Sequence, residues 1–441
     1  MRKAWLIMVL FIFIFANESV YCSEIISLKD AISTAIKSNH YVKAKEYGLF
    51  SVREEVNVSK SAFYPKLFFE ERYTIGNYNS YSVFTKLNQE RLTMNNFMNP
   101  GETHNFQTTI GLEMPLYLRE IFMNKKIKNK LYLSSTYDFK QFQEDISFEV
   151  FKAYIGVVRA KSMGEVAEKA LDDAKEIARI ASLRVKNGLG IKSDELRAFV
   201  FLKDKEVELI KAINDIEVAK RALGLVLSKE LGFDVTGEDL SILFHLPPLE
   251  DAIKTAVESR KDLISQSYNV AIAKDSVEIN KSKYYPKVFL SANYYNDDKS
   301  APLGRDGSGY IAGVYLRWDL FDKTRYDEIK RSNYEYEKAK EYLNQKIKEV
   351  KFRVNESYLR VEEARKRLDV AKEALKHAEE TFRLIKLRYE NNLSTMVEML
   401  DAEVALVSSK TNYVNAEMGY IEALGKALYE SGIFLQSILK E

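Results

Sequence analysis

Residues able to do chemistry are few in this chain, and their spacing argues against catalysis. His40, His104, His245 and His377 are the only histidines, scattered too widely for a metal-ligand pattern. Gly304-Arg305-Asp306-Gly307-Ser308-Gly309 is glycine-rich, but no Gly-Lys-Ser/Thr follows, so it reads as a turn rather than a phosphate cradle. No nucleophile stands with a base and an orienting group. No catalytic residue, cofactor or metal is therefore expected. The remaining candidates are carboxylates. Glu398 and Asp401 are three apart, hence on one face of a helix; taken alone they are two acids on a solvated surface.

The elements that must hold such residues follow from composition and self-comparison. The 441 residues carry 66 basic and 64 acidic side chains, a net charge of +2, so there is no basic excess of the kind a nucleic-acid surface needs. Charges of both signs suit long solvated helices. Only 18 glycines and 7 prolines interrupt the chain, which also points to long helices. The 27 tyrosines and 24 phenylalanines exceed what such helices use, so another kind of element is expected as well.

Residues 1–22 read as a secretory signal: Arg2 and Lys3, an apolar run from Ala4 to Ala16, then a polar stretch ending Val20-Tyr21-Cys22. The run is short for a spanning helix, which needs about 20 residues. Cleavage after Cys22 removes the only cysteine and with it any thiol chemistry. Lipidation of Cys22 is the lesser reading, because Tyr21 is large where a lipoprotein signal wants a small residue.

The mature chain is a duplication. Leu28-Lys29-Asp30-Ala31-Ile32 reappears as Leu249-Glu250-Asp251-Ala252-Ile253, and Tyr64-Pro65-Lys66 as Tyr285-Pro286-Lys287, both offset by 221. Leu183-Arg184 and Asn187 match Leu387-Arg388 and Asn391 at an offset of 204, so the first copy holds 17 extra residues between the two regions. Residues 77–106, rich in Tyr, Asn, Thr and Ser, contain this insertion as a loop. The second offset also pairs Glu398 with Asp194 and Asp401 with Arg197.

Each copy reads helix, strand, strand, very long helix, turn, helix. The copies occupy residues 23–232 and 249–441, with an irregular linker at 233–248. One helix is expected from Ile25 to Ala62, ended by Pro65. Alternating segments follow at about 65–76 and 107–117, and again at about 286–296 and 309–321. Val288, Leu290, Ala292 and Tyr294 alternate with Lys287, Ser291 and Asn293. The polar face of these strands includes Glu113, Arg317 and Asp319, while Glu71 breaks the apolar face. Helical hairpins then run over about 121–229 and 323–430, each with a first arm roughly 100 Å long. Their turns, Asn187-Gly188-Leu189-Gly190 and Asn391-Asn392-Leu393-Ser394, supply residues that tolerate positive φ.

Strands of about ten residues with one apolar and one polar face fit a transmembrane barrel. Four strands cannot close one, and open edges in lipid are prohibitive. Several chains must share a barrel, and three supply twelve strands around a polar lumen.

This plan, the Tyr-Pro-Lys before the first strand of each copy and the string RYENNLSTMVEMLDAE at 388–403 resemble TolC-like outer-membrane efflux proteins over essentially the whole mature chain. The resemblance implies a mainly α fold with a transmembrane β part: a homotrimeric twelve-stranded barrel in outer-membrane lipid, continued by a long α-helical periplasmic tunnel. It implies a passive conduit, for small molecules or polypeptides, driven by an inner-membrane pump through a periplasmic adaptor. It also implies a ring of carboxylates at the periplasmic aperture from Glu398 and Asp401, with Asp194 in the first copy, and adaptor docking at Gly188, Leu189, Gly190, Asn392, Leu393 and Ser394. A threefold ring of this kind at a constriction attracts cations and repels anions. The alternative is a periplasmic or surface coiled-coil scaffold without a pore, which would have no need of strands with one apolar and one polar face.

Overall fold

The structure is a computed structural model that describes residues 24–230, 232–236 and 244–439. The expected signal segment, Cys22 included, lies outside the described residues. The first copy runs β1 (Glu24–Ile26), α1 (Leu28–Ser38), α2 (His40–Ser61), β2 (Lys66–Gly76), α3 (Asn79–Asn88), α4 (Met94–Met98), β3 (Thr103–Tyr117), α5 (Arg119–Lys186) and α6 (Lys192–Leu227). After β4 (Phe233–Val235), the second copy runs α7 (Leu249–Ser259), α8 (Lys261–Ser282), β5 (Lys287–Asp298), β6 (Gly307–Arg317), α9 (Lys323–Glu390), α10 (Met396–Glu430) and α11 (Phe434–Leu439). α5 and α9 are each 68 residues long. No helix among the described residues is long and apolar enough to cross a membrane.

Where one helix was expected from Ile25 to Ala62, two form, separated by Asn39. Its side-chain oxygen accepts from the Tyr41 and Val42 amides (2.8 and 3.3 Å), and its amide nitrogen donates to the Val226 carbonyl (2.7 Å). The side chain replaces the backbone partners a continuous helix would supply, so the chain turns there.

The chain divides into two compact units, each drawing on both copies: one holds residues up to Glu46, Phe139–Leu263 and from Lys346 on, the other Tyr47–Asp138 and Ile264–Gln345. In the second unit the strands form one antiparallel sheet in the order β2-β3-β5-β6, so β2 and β6 are its edges. Register and the two-residue pleat sort the side chains into two faces. One carries Lys66, Arg72, Gln107, Glu113, Asn293 and Arg317; the other carries Leu67, Ile110, Leu112, Leu290, Val314 and Leu316. Glu71 lies on the apolar face, where it accepts from Thr108 Oγ1 at 2.6 Å.

Two limits of the sheet differ from expectation. β3 begins at Thr103, so the last residues of the expected loop are strand. Gln89 explains this, since its amide donates to the His104 carbonyl (2.7 Å) and to Asn105 Oδ1 (2.9 Å) and holds the chain extended. β6 ends at Arg317, which leaves Asp319 beyond the strand rather than on its polar face. There Asp319 pairs with Arg317 at 3.1 Å, while the Trp318 indole donates to the Tyr284 carbonyl at 3.0 Å.

The first unit is helical. Its core gathers Ile32 of α1, Phe151 and Tyr154 of α5, Leu227 of α6, Leu424 and Leu428 of α10 and Phe434 of α11. The linker contributes β4, which pairs in parallel with β1, and the buried Tyr154 hydroxyl lies 2.8 Å from Thr236 Oγ1. Arg260 and Glu430 form a buried ion pair at 2.8 Å, with Asp262 as a second partner at 3.1 Å. A pair of this kind is costly to break because either charge would be left buried alone.

Gly425 lets α10 approach Phe151. A Cβ at 425 would lie 2.3 Å from the ring. Phe151→Ala should cost about 3–5 kcal/mol and Gly425→Ala about 1–3 kcal/mol. The double variant should lose clearly less than the sum, because the new methyl enters the space the ring vacates. Denaturant unfolding of the three variants measures this; strict additivity would show that the two positions do not share one space.

Candidate functional site

The tips of the two hairpins lie in the helical unit and are built alike. α5 ends with Leu189 N–H on the Arg184 carbonyl (2.8 Å) and Gly188 N–H on Val185 (3.1 Å); α9 ends with Leu393 on Arg388 (2.7 Å) and Asn392 on Tyr389 (3.2 Å). This paired closure needs a left-handed residue after the helix. Gly188 takes it at φ +74° and Asn392 at φ +61°. Asparagine is among the few residues with a side chain that adopts this conformation readily. Leu189 and Leu393 follow, and both point into solvent. Gly190 passes close to the Arg184 Cβ.

Arg184 brings the two tips together. Its guanidinium sits 4.4 Å from the Tyr389 ring centre, Nη1 donates to the Tyr389 carbonyl at 2.6 Å, and Nη2 reaches both Asn392 Oδ1 and the Leu189 carbonyl. One side chain of the first hairpin thus satisfies a C-terminal carbonyl of the second, that of Tyr389, a place where a cation is favoured. Tyr389 is buried beneath it among Ile177, Ala181, Met396 and Met399. Burial raises the phenol above its usual range; the Arg184 charge opposes this and the Asp194 carboxylate adds to it.

Glu398 is the third residue of α10 and closes a capping box. Thr395 Oγ1 accepts from the Glu398 amide at 3.2 Å, and the Glu398 carboxylate accepts from the Thr395 amide at 2.9 Å. The Ser394 hydroxyl donates to the same carboxylate oxygen. These bonds, Ser394 first, hold the Glu398 carboxyl below the usual range, so it is anionic. Asp401, one turn on, is exposed and has no ion pair or hydrogen bond from its side chain among the described residues. Asp194 is the third residue of α6 and half-buried, while Arg197 is exposed. Of the expected polar-face residues, Glu113 and Arg317 share the polar face of the sheet in the other unit, and Asp319 does not.

Glu403 is a residue that sequence reasoning missed. It is 0% exposed, and neither carboxylate oxygen has a hydrogen-bond partner. Burial, then the nearby Asp173 carboxylate, push its carboxyl up to about 7; Lys410, Lys205 and Lys386 oppose this without outweighing it. The signal was present. Met396, Met399, Glu403 and Leu406 recur at helical spacing, which puts a carboxylate on the apolar stripe. No comparable signal singles out Arg184, whose role depends on the partner hairpin.

Comparison with known proteins adds to this geometry. Residues 31–228 and 252–429, most of the chain, match the family described as "Outer membrane efflux protein". The alkaline protease secretion protein AprF of Pseudomonas aeruginosa is 20% identical over 360 residues, 79% of this chain and 74% of that protein. A crystal structure of CusC superposes with a TM-score of 0.78 at 12% identity, covering 95% of each chain. The outer-membrane channel OprN gives 0.75 at 15% identity, covering 92% of this chain and 89% of its own. At such identities the superpositions establish the fold.

Glu403 generates a test of hairpin stability. Its carboxyl titrates near 7 instead of 4.5, so the folded state holds the proton more tightly than the unfolded chain. Stability is therefore greatest below the unfolded value, falls as pH rises through about 7 and then levels off, a loss of roughly 3 kcal/mol. Glu403→Met should abolish that fall and be the more stable protein at alkaline pH. Denaturant midpoints across the range decide it: a wild-type midpoint that does not drop between acid and alkaline pH would show that Glu403 is not buried in the assembled protein.

Proposed function

The chain belongs to the outer membrane efflux protein family, and from that membership we infer that the protein is the outer-membrane channel of an export system. It is a passive conduit, not an enzyme. An inner-membrane pump supplies the energy and a periplasmic adaptor connects the two. Three chains form the channel: their strands make a twelve-stranded barrel in the outer membrane, and their helices make a tunnel in the periplasm. The observation that carries this reading is the four-stranded sheet with one apolar face, one polar face and two unpaired edges. In hydrocarbon those edges need partners, and the β2 and β6 edges of neighbouring subunits supply them.

The hairpin tips are the aperture of this conduit. Three copies of Glu398 and Asp401 around the threefold axis, with Asp194 beside them, form an anionic ring that concentrates cations and repels anions. The bonds to Glu398 support the assignment, because they keep the carboxylate charged and fixed while Asp401 stays open to solvent. Arg184 holds the two hairpins of one subunit together, so moving them apart breaks its bonds to Tyr389 and Asn392. The exposed leucines, on turns formed by Gly188-Leu189-Gly190 and Asn392-Leu393-Ser394, offer adaptor hairpins an apolar contact.

Two measurements in planar bilayers test the aperture. Glu398→Gln with Asp401→Asn should weaken cation preference and block by multivalent cations; unchanged selectivity and block would refute the ring. Arg184→Ala should lengthen or enlarge openings, because the link between hairpins is gone. Openings indistinguishable from wild type would remove Arg184 from the gate.

A further inference from the structure

The 17-residue insertion of the first copy does not extend away from the sheet; it folds back over it. Three contacts place it, on β2, β3 and β6. Tyr81 hydrogen-bonds to Thr74 of β2. Gln89 donates to Asn105 of β3 at 2.9 Å, and Asn105 donates in turn to Asp297 of β5 at 2.6 Å. The Asn88 carbonyl approaches Gly307 of β6 so closely that a Cβ there would lie 1.9 Å from it. Thr74 pairs with Asn105, and Gln107, Asp297 and Gly307 form the neighbouring row, all on the face that carries Glu113 and Arg317. α3 therefore crosses the polar face, at the end of the strands away from their connections to α5 and α9.

The helix is also inside out for a water-filled lumen. Ser82 and Thr85 are buried toward the sheet, while Phe84 is 63% and Leu87 51% exposed. In α4, Met94, Phe97 and Met98 are exposed as well. Apolar side chains this numerous at one spot are normally covered by a partner.

Resting on the channel reading, we propose that the insertions of the three subunits meet inside the barrel and close its outer mouth, each covering the apolar face of the next. The dimensions require them to meet. Twelve strands about 4.8 Å apart and tilted by about 40° close on a backbone radius of about 12 Å. A helix with its side chains is about 10–12 Å across, so one helix seated on each third of the wall reaches close to the axis. Phe84, Leu87 and Met98 of one subunit then pack on the same residues of the others. This gives the channel a second constriction, apolar where the aperture is anionic, which lowers ion conductance by dewetting without abolishing it. Gly307 is the residue that lets the insertion seat.

The test uses the full chain as purified trimers. Phe84→Cys and Met98→Cys are each introduced, with Tyr310→Cys on the apolar face as control; the native Cys22 falls in the expected signal. A short bis-maleimide should join most subunits through position 84 or 98 and none through 310. Conductance is then compared in the Arg184→Ala background, so that the aperture does not mask the outer mouth. Replacing residues 79–100 by a short Gly-Ser turn should raise single-channel conductance severalfold, and Gly307→Val, which keeps the insertion but removes its seat, should raise it by less. Conducting trimers that fail to cross-link, or whose conductance is unchanged without the insertion, overturn the closure. The absence of trimers or of any conductance in every protein, wild type included, overturns the channel reading itself.

Discussion

A backbone amide or carbonyl in hydrocarbon must find its hydrogen-bond partner within the protein. The architecture answers that constraint. The chain's four-stranded sheet satisfies β3 and β5 on both sides but leaves β2 and β6 with a free row each. No rearrangement within one chain removes both edges, because four strands are too few to curve into a closed barrel. Assembly is therefore part of folding for this protein. The duplication halves the design problem, since one strand pair repeated twice per chain and three times per channel closes the ring.

Facing two solvents explains the side chains. Along each strand the pleat sends alternate residues toward lipid and lumen, so Leu112 and Glu113 are neighbours in sequence and opposite in environment. The exception, Glu71, has its carboxylate answered by Thr108 within the same face. The polar face then allows the insertion to bind it: Gln89, Asn105 and Asp297 form a buried hydrogen-bonded row that an apolar wall could not offer.

In the helical unit the balance is between packing and release. The aromatic core around Phe151, with Gly425 cut away to admit the ring, and the Arg260–Glu430 pair make a firm base. The tips are held differently, by one arginine, two left-handed turns and a capping box over a smaller apolar cluster around Tyr389, Met396 and Met399. Glu403 adds a buried carboxyl without a hydrogen bond, which weakens this end as it ionises. A segment that must open is drawn from the least stable part of a fold.

The sequence by itself determined the repeated plan, the fold class and the need for several chains, because these rest on periodicities and on offsets between copies that need no knowledge of contacts. It also pointed to Asn392 as a left-handed residue, a property of one residue's own backbone. Only the tertiary structure decided the break at Asn39, the end of β6 before Asp319, the reach of Arg184 to the second hairpin, the burial of Glu403 and the seat of the insertion on Gly307. Each depends on residues distant in sequence, 205 positions apart for Arg184 and Tyr389. Local spacing sets which way a side chain can point along its own element, whereas the partner it meets there is chosen by how the elements pack.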